Sequence, residues 1–216
     1  MSKEWNWAIN KQDLWLKPAI ESFYFIEEWK KKEFKNILDL GCGLGRHSIL
    51  FAENGFKVTA CDLSEYAINH LNMWANDKGL SINTKICDML DLSFSNNSFD
   101  AIFSYHVISH TDTIGVKRVI DELKRVLRKN GEIFLTLCSK DTWSFKEAGY
   151  PKIDANTVIK QEEGPENGIP HFYVNLDDIK TLFIDFDIIS IRHIDDIYYR
   201  DKVNHSYHYF LHMRLK

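Results

Sequence analysis

Between Asn36 and Cys138 the chain alternates short runs rich in Val, Ile, Phe and Thr with longer runs of helical periodicity. That alternation leaves few options: a mostly parallel sheet covered by helices on both faces. The short runs lie at 37–40, 57–61, 82–87, 99–105 and 132–138, and all but the second are closely bounded by Gly, Asn or Asp. Between them, a helix over 46–53 runs out at Asn54-Gly55, and one over 65–78 begins after Ser64 as N-cap and stops at Gly79. A third, over 116–128, lines up Val119, Ile120, Leu123, Val126 and Leu127 on one stripe and ends in Arg125, Arg128 and Lys129 before Asn130-Gly131.

Beyond Cys138 the rhythm breaks. Residues 139–175 read as a long loop punctuated by Gly149, Pro151, Gly164-Pro165 and Gly168-Ile169-Pro170, and a loop of that length inside a compact domain is usually functional. A short helix over 177–183 and strands over 186–194 and 207–215 close the sheet. The last strand puts Tyr207, Tyr209, Leu211, Met213 and Leu215 on one face and His208, Phe210, His212 and Arg214 on the other. At the other end, Trp5, Trp7 and Trp15 precede an amphipathic helix that opens near Pro18 and offers Ile20, Phe23, Ile26 and Trp29 for burial. The expected organisation is a helical and aromatic cap over 1–35 and one domain over 36–216, with 139–175 as an insertion on the substrate side.

Composition narrows the function classes. At 216 residues and 44% hydrophobic the chain can bury one core, and a net charge of −4 argues against a broad nucleic-acid surface. The four cysteines, Cys42, Cys61, Cys87 and Cys138, have neither zinc-site spacing nor the density of a disulfide scaffold, which fits a reducing cytoplasm. No run approaches a membrane span and the first residues lack a signal-peptide core. A cytoplasmic monomer or homodimer with a small-molecule substrate, and neither nucleic acid nor membrane as partner, is expected.

The first strand ends in Asp39-Leu40 and runs straight into Gly41-Cys42-Gly43-Leu44-Gly45 and a helix, so the backbone turns sharply and lets something bulky approach. The third glycine comes one residue earlier than the G-x-G-x-x-G of dinucleotide binders requires. A tight turn preceded by an acidic residue suits a ligand with a cationic group and no phosphate. Asp62 closes the second strand, seventeen residues after Gly45, where a carboxylate can accept from both hydroxyls of a ribose. Asp88-Met89 follows the third strand, where a carboxylate can take adenine amino hydrogens while the thioether packs on the ring.

In order and spacing, Asp39 to Gly45, Val58-Thr59-Ala60-Cys61-Asp62-Leu63-Ser64, Cys87-Asp88-Met89, Phe99-Asp100-Ala101-Ile102-Phe103-Ser104 and Leu123 to Gly131 resemble the motifs of class I S-adenosylmethionine-dependent methyltransferases. The resemblance covers about 36–138. It implies a Rossmann-like, doubly wound seven-stranded α/β sheet, mostly parallel with an antiparallel last strand, and S-adenosyl-L-methionine as cofactor. Carried over by motif, Asp39, Leu40, Gly41, Gly43 and Gly45 surround the methionine part, Asp62 and Leu63 the ribose, Asp88 and Met89 the adenine, and Ser104 with Tyr105 borders the sulfonium. The layout also looks like the tellurite and thiopurine methyltransferase branch, which acts on small molecules.

Methyl transfer is an in-line displacement that needs positioning and exclusion of water more than a dedicated base. If the acceptor must lose a proton, His106 and His110 after the fourth strand, or His171 from the insertion, are the candidates. Arg46 and His47 offer positive charge beside the cofactor, or hydrogen bonds to Asp39. The cysteines read as small buried residues, His205, His208 and His212 lack ligand spacing on a strand, and no metal is expected. The competing readings are a nicotinamide-dependent oxidoreductase, in which Asp62 serves a ribose equally well, and a methyltransferase-like protein that binds without catalysis.

Overall fold

The computed structural model describes residues 5, 7, 13–161, 164, 166–195 and 204–216; expectations for the other positions of the cap and the insertion lie outside the described residues. In chain order the strands are β1 (Asn36–Leu40), β2 (Lys57–Asp62), β3 (Asn83–Ile86), β4 (Phe99–Ser104), β5 (Leu127–Ser139), β6 (Lys152–Asp154), β7 (Thr157–Ile159), β8 (Pro170–Val174), β9 (Phe186–Asp195) and β10 (Tyr207–Leu215). The helices are α1 (Ile20–Lys31), α2 (Arg46–Glu53), α3 (Glu65–Asp77), α4 (Thr113–Val126), α5 (Trp143–Lys146) and α6 (Leu176–Leu182), after a 3₁₀ turn at Asp13–Leu16.

Seven strands make the central sheet, in the order β3-β2-β1-β4-β5-β10-β9. β3, β2, β1, β4 and β5 run parallel, and β10 lies antiparallel between β5 and β9. Alternation along the strands separates the two faces. Ile37, Ala101, Phe103 and Phe134 meet Phe25, Ile26 and Trp29 of α1 and Phe51 of α2, whereas Leu38, Leu40, Ile102, Ile133 and Leu135 meet α4 and α6. On the first face α3 packs beside α2 through Ile68, Leu71 and Ala75 over Ala60. Among the described residues no helix is long and apolar enough to cross a membrane.

Three local expectations change. In α1, Phe25, Ile26 and Trp29 are buried, but Ile20 and Phe23 face solvent, because the helix rests on the sheet along a narrower stripe than the apolar positions offer. α4 stops at Val126 rather than Arg128: Leu127 is extended and buried, and it opens β5 by pairing with Phe99. The insertion is not a loop. Its short strands β6, β7 and β8 form an antiparallel meander, and β8 joins β5 in parallel at Cys138 and Ser139, past Leu135 where β4 leaves off. Strands of three residues carry too little alternation to be read from sequence.

Candidate active site

The glycine turn begins where β1 ends. The Gly41 and Cys42 amides both donate to the carbonyl of Cys61, at 2.8 and 3.0 Å, which ties the turn to β2. Gly41, Gly43 and Gly45 have φ of 68°, 52° and 98°, the left-handed region that favours glycine. Space excludes side chains as well: a Cβ would stand 2.4 Å from Val107 at Gly41, 2.6 Å from the Trp7 ring at Gly43 and 2.4 Å from Leu71 at Gly45.

Asp62 is fixed against this turn. One carboxylate oxygen accepts from the Gly43 amide at 2.9 Å and the other from the Ser64 amide at 2.9 Å, while the Ser64 side chain caps α3 through the Ala67 amide. Leu63 lies between them, partly buried. At the end of β3, Asp88 accepts from the Leu90 amide at 2.9 Å, and Met89 is buried against the core. Asp39 lies beneath the turn, fully buried, accepting from the Ser48 hydroxyl at 2.5 Å. Burial pushes its carboxyl up to about 7, against the opposing pull of Ser48 and Arg46. The Leu40 side chain points into the core on the α4 face, so only its main chain faces the turn, and the Ser104 hydroxyl donates to the Leu40 carbonyl at 3.2 Å. Tyr105 stacks on Phe103 and lies under the Arg46 guanidinium, which Trp15 flanks at 5.1 Å. Arg46 also donates to the Lys17 carbonyl. His47 carries no charge here: burial and the adjacent Arg46 lower its pKa well below the usual value, and its Nε2 accepts from the Ala19 amide at the start of α1. Trp5, Trp7 and Trp15 pack edge to face on one another over the turn.

The three candidate histidines gather past the end of β4. His106 is partly buried with a left-handed φ of 59°; its amide donates to the Thr136 hydroxyl at 2.8 Å, and its ring lies 4.4 Å from that of His208. Burial, then His208, drives its pKa well below the ordinary value. His110 and His171 face each other edge to face, with ring centroids 4.7 Å apart. The meander produces this: the Phe172 amide of β8 donates to the Ser109 carbonyl at 2.8 Å, clamping β8 to the loop that carries His110. Burial and His171 lower the His110 pKa to about 3, so its ring is neutral at physiological pH.

Sequence reading missed three neighbours. Glu166 places Oε1 3.5 Å from His171 Nε2 and 3.8 Å from His110 Nε2, and gives its other oxygen to Lys160. Burial acts to raise the Glu166 pKa, but the Lys160 ammonium paired with it holds it well below the carboxylate range. Cys138 sits opposite His208 in the β5–β10 ladder; burial opposes ionisation, yet His208 and Lys160 bring its pKa below the ordinary thiol value. Glu166 and Lys160 lay in the stretch read as loop, and no spacing linked them to His110. The expectation of no ligand set rested on spacing along strands, whereas the fold assembles His110, Glu166 and His171 from separate segments. His212, by contrast, is occupied by the buried Glu132 at 3.0 Å.

A protein-family model for a methyltransferase domain matches residues 37–131. That match takes in 95 of the chain's 216 residues. Among curated relatives, the sterol 24-C-methyltransferase of Gibberella zeae is 31% identical over 116 residues, 52% of this chain and 30% of that protein. The ubiquinone biosynthesis O-methyltransferase of Coxiella burnetii is 28% identical over 155 residues, 72% of this chain and 64% of that protein. The chain thus spans less than two thirds of either relative. A solved SAM-dependent methyltransferase from Methanosarcina mazei shares the fold with a TM-score of 0.74 at 19% identity, covering 92% of this chain and 98% of that one. The match to the methyltransferase domain begins at β1 and ends at Gly131, so it takes in the glycine turn, Asp62, Asp88 and the whole of α4. It leaves out the meander that carries Glu166 and His171.

Proposed function

We propose that this protein transfers the methyl group of S-adenosyl-L-methionine to a small-molecule nucleophile. What carries the reading is Asp62, a carboxylate at the end of β2 whose two oxygens accept from the Gly43 and Ser64 amides, which fixes it at the mouth of the glycine turn where a ribose diol would lie. The main chain of Asp39, Leu40, Gly41, Gly43 and Gly45 then borders the methionine part, Leu63 flanks the ribose, Asp88 and Met89 take the adenine, and Ser104 and Tyr105 face the sulfur. When bound, the cofactor supplies a methyl group on a cationic sulfur with a neutral thioether as leaving group.

The chain's own task is to position the acceptor, keep water out and accept a proton where the acceptor has one to lose. His106, His110 and His171 line the acceptor side, and the lowered pKa values of His106 and His110 make those two rings neutral but weakly basic, suited to orienting an acceptor by hydrogen bonds more than to taking its proton. Residues 1–35 serve as an aromatic cap on the domain at 36–216, and 139–175 forms the acceptor-side wall. Such a cap favours an acceptor with a planar or apolar part. The protein acts in the cytoplasm as a monomer or homodimer, without nucleic acid or membrane as partner.

Calorimetric titration tests the cofactor assignment. Binding of S-adenosylmethionine or S-adenosylhomocysteine with none of NAD is expected; the reverse pattern overturns the reading in favour of an oxidoreductase. A screen of small nucleophiles scored for S-adenosylhomocysteine release then identifies the acceptor.

A further inference from the structure

Of the titratable groups that the cofactor reading does not use, the set His110, Glu166 and His171 is held in the most defined geometry. His171 is almost fully buried on β8, and its Nδ1 lies 3.1 Å from the carbonyl of Ile169. A carbonyl can only accept, so Nδ1 carries the proton and Nε2 presents a lone pair. That Nε2 is buried and has no hydrogen-bond partner among the described residues. It faces Glu166 Oε1 at 3.5 Å, and His110 Nε2 faces the same oxygen at 3.8 Å. One ligand atom from each of the three residues falls within 4.8 Å of the others. Two imidazole nitrogens, one of them the bare Nε2 of His171, converge with an anionic oxygen on one small region.

We propose that His110, Glu166 and His171 bind one divalent transition-metal ion of the Zn2+ type. Ligand atoms around tetrahedral Zn2+ stand about 3.3 Å apart, given bonds of about 2.0–2.1 Å, so the two measured separations already approach the edges of such a site. Further support comes from the surroundings. A ligating histidine ordinarily donates its other ring N–H to a carbonyl, as His171 does to Ile169, and a ligating carboxylate is ordinarily held through its second oxygen, as Glu166 is by Lys160. The backbone is clamped too: β8 bonds the loop of His110 at Ser109, and the Ile169 amide donates to the Glu166 carbonyl at 3.1 Å. Two imidazoles and one carboxylate select zinc and its first-row neighbours over Mg2+ or Ca2+, which prefer oxygen. The His110 and Glu166 side chains are 20% and 31% exposed, so an ion can enter, and three protein ligands leave a coordination position open. Use of that position to hold an acceptor hydroxyl or thiol rests on the methyl-transfer reading; binding of the ion does not.

The test uses full-length protein, stripped with chelator and free of cofactor, titrated with Zn2+ by calorimetry and with Co2+ by visible absorption. One ion per chain is expected, with the intense visible bands of low-coordinate Co2+. Glu166→Gln and His110→Ala are each expected to weaken binding by about 100-fold or more. His205→Ala, in the separate exposed pair with Asp195, is expected to leave it unchanged. Both ligand variants sit on partly exposed loops, and an unchanged melting temperature and unchanged S-adenosylhomocysteine affinity certify the fold. Substoichiometric binding by the wild-type chain, or Glu166→Gln and His110→Ala binding as tightly as wild type, overturns the proposal and leaves the cofactor assignment standing.

Discussion

On the cofactor side, every polar group is fixed within the β1–β3 end of the central sheet; on the acceptor side, the groups come from the loop after β4 and from the inserted meander. Asp62 is fixed by Gly43 and Ser64, Asp88 by Leu90 and Asp39 by Ser48, all hydrogen-bonded within one strand-turn-helix unit or its neighbour. Lys160, Glu166 and His171 share the β7–β8 hairpin, and His110 joins them because β8 docks on the end of β5 and on the loop after β4. The first arrangement is set by backbone geometry and tolerates little change. The second depends on an inserted meander, so it can vary while the fold stays, and specificity is the property that profits from such freedom.

The sharpest way to break the contrast is to put a side chain into the turn. Gly45→Val combines a φ of 98° with a Cβ 2.4 Å from Leu71, whose side chain is fully buried in α3. Strain and overpacking together are expected to cost about 3–5 kcal/mol, read as a fall in denaturation midpoint. A loss below 1 kcal/mol would show that the turn is softer than its geometry implies.

Next in size is the buried charge beneath the turn. With its folded pKa raised to about 7 by burial, Asp39 binds its proton more tightly in the folded state than in the unfolded chain. Its contribution to stability is therefore complete below about pH 4 and is lost as pH rises toward 7. Asp39→Asn, which keeps an acceptor for Ser48, is expected to match wild type near pH 4 and to exceed it by roughly 3 kcal/mol at pH 8. A stability difference that does not change with pH would remove the charge from beneath the turn. The same group sharpens the functional reading: a cationic ligand group nearby favours the carboxylate, so cofactor binding near pH 7 should release a proton, measurable as a buffer-dependent binding enthalpy.

Legibility followed the same division. The strands β1 to β5, the Ser64 cap and the placement of the glycine turn at the end of β1 could be read because each is written within a few consecutive residues, whereas the antiparallel last strand followed from the resemblance to class I methyltransferases. The end of α4 was misread because Leu127 continues the apolar stripe of the helix, and only its pairing with Phe99 turns it into a strand. The meander was invisible because β6 and β7 have three residues each, and with it went Glu166 and Lys160. His171 stood out by its aromatic neighbours, but what it faces is decided by the parallel register of Cys138 with Tyr173, a contact over more than thirty residues.

Asp62→Ala compares the two sides directly. It removes the acceptor of two backbone amides and of the proposed ribose hydroxyls, and charged hydrogen bonds of this kind contribute about 1.5–3 kcal/mol each. S-adenosylhomocysteine affinity is expected to fall by about 100-fold in calorimetry, while Zn2+ binding at His110, Glu166 and His171 stays at the wild-type value. Equal affinity for S-adenosylhomocysteine in variant and wild type would sink the ribose assignment; a parallel loss of Zn2+ would show that the two sides are not independent.

The smallest effect tests where the two sides meet. Trp7 lies on the α-carbon of Gly43, and Trp5 stacks on His110 at 6.4 Å, so one aromatic cluster touches both the turn and the acceptor side. If the cluster caps the bound cofactor, Trp7→Ala removes one aromatic wall worth about 1 kcal/mol, and S-adenosylhomocysteine should bind about 5-fold more weakly through faster dissociation. Its effect on stability should be slight, because Trp7 is only partly buried. Tighter binding by the variant would mean the opposite: that the ring fills the ligand's place on Gly43 and must leave before the cofactor enters. Stopped-flow dissociation separates the two, since a cap slows release whereas a displaced ring slows only entry.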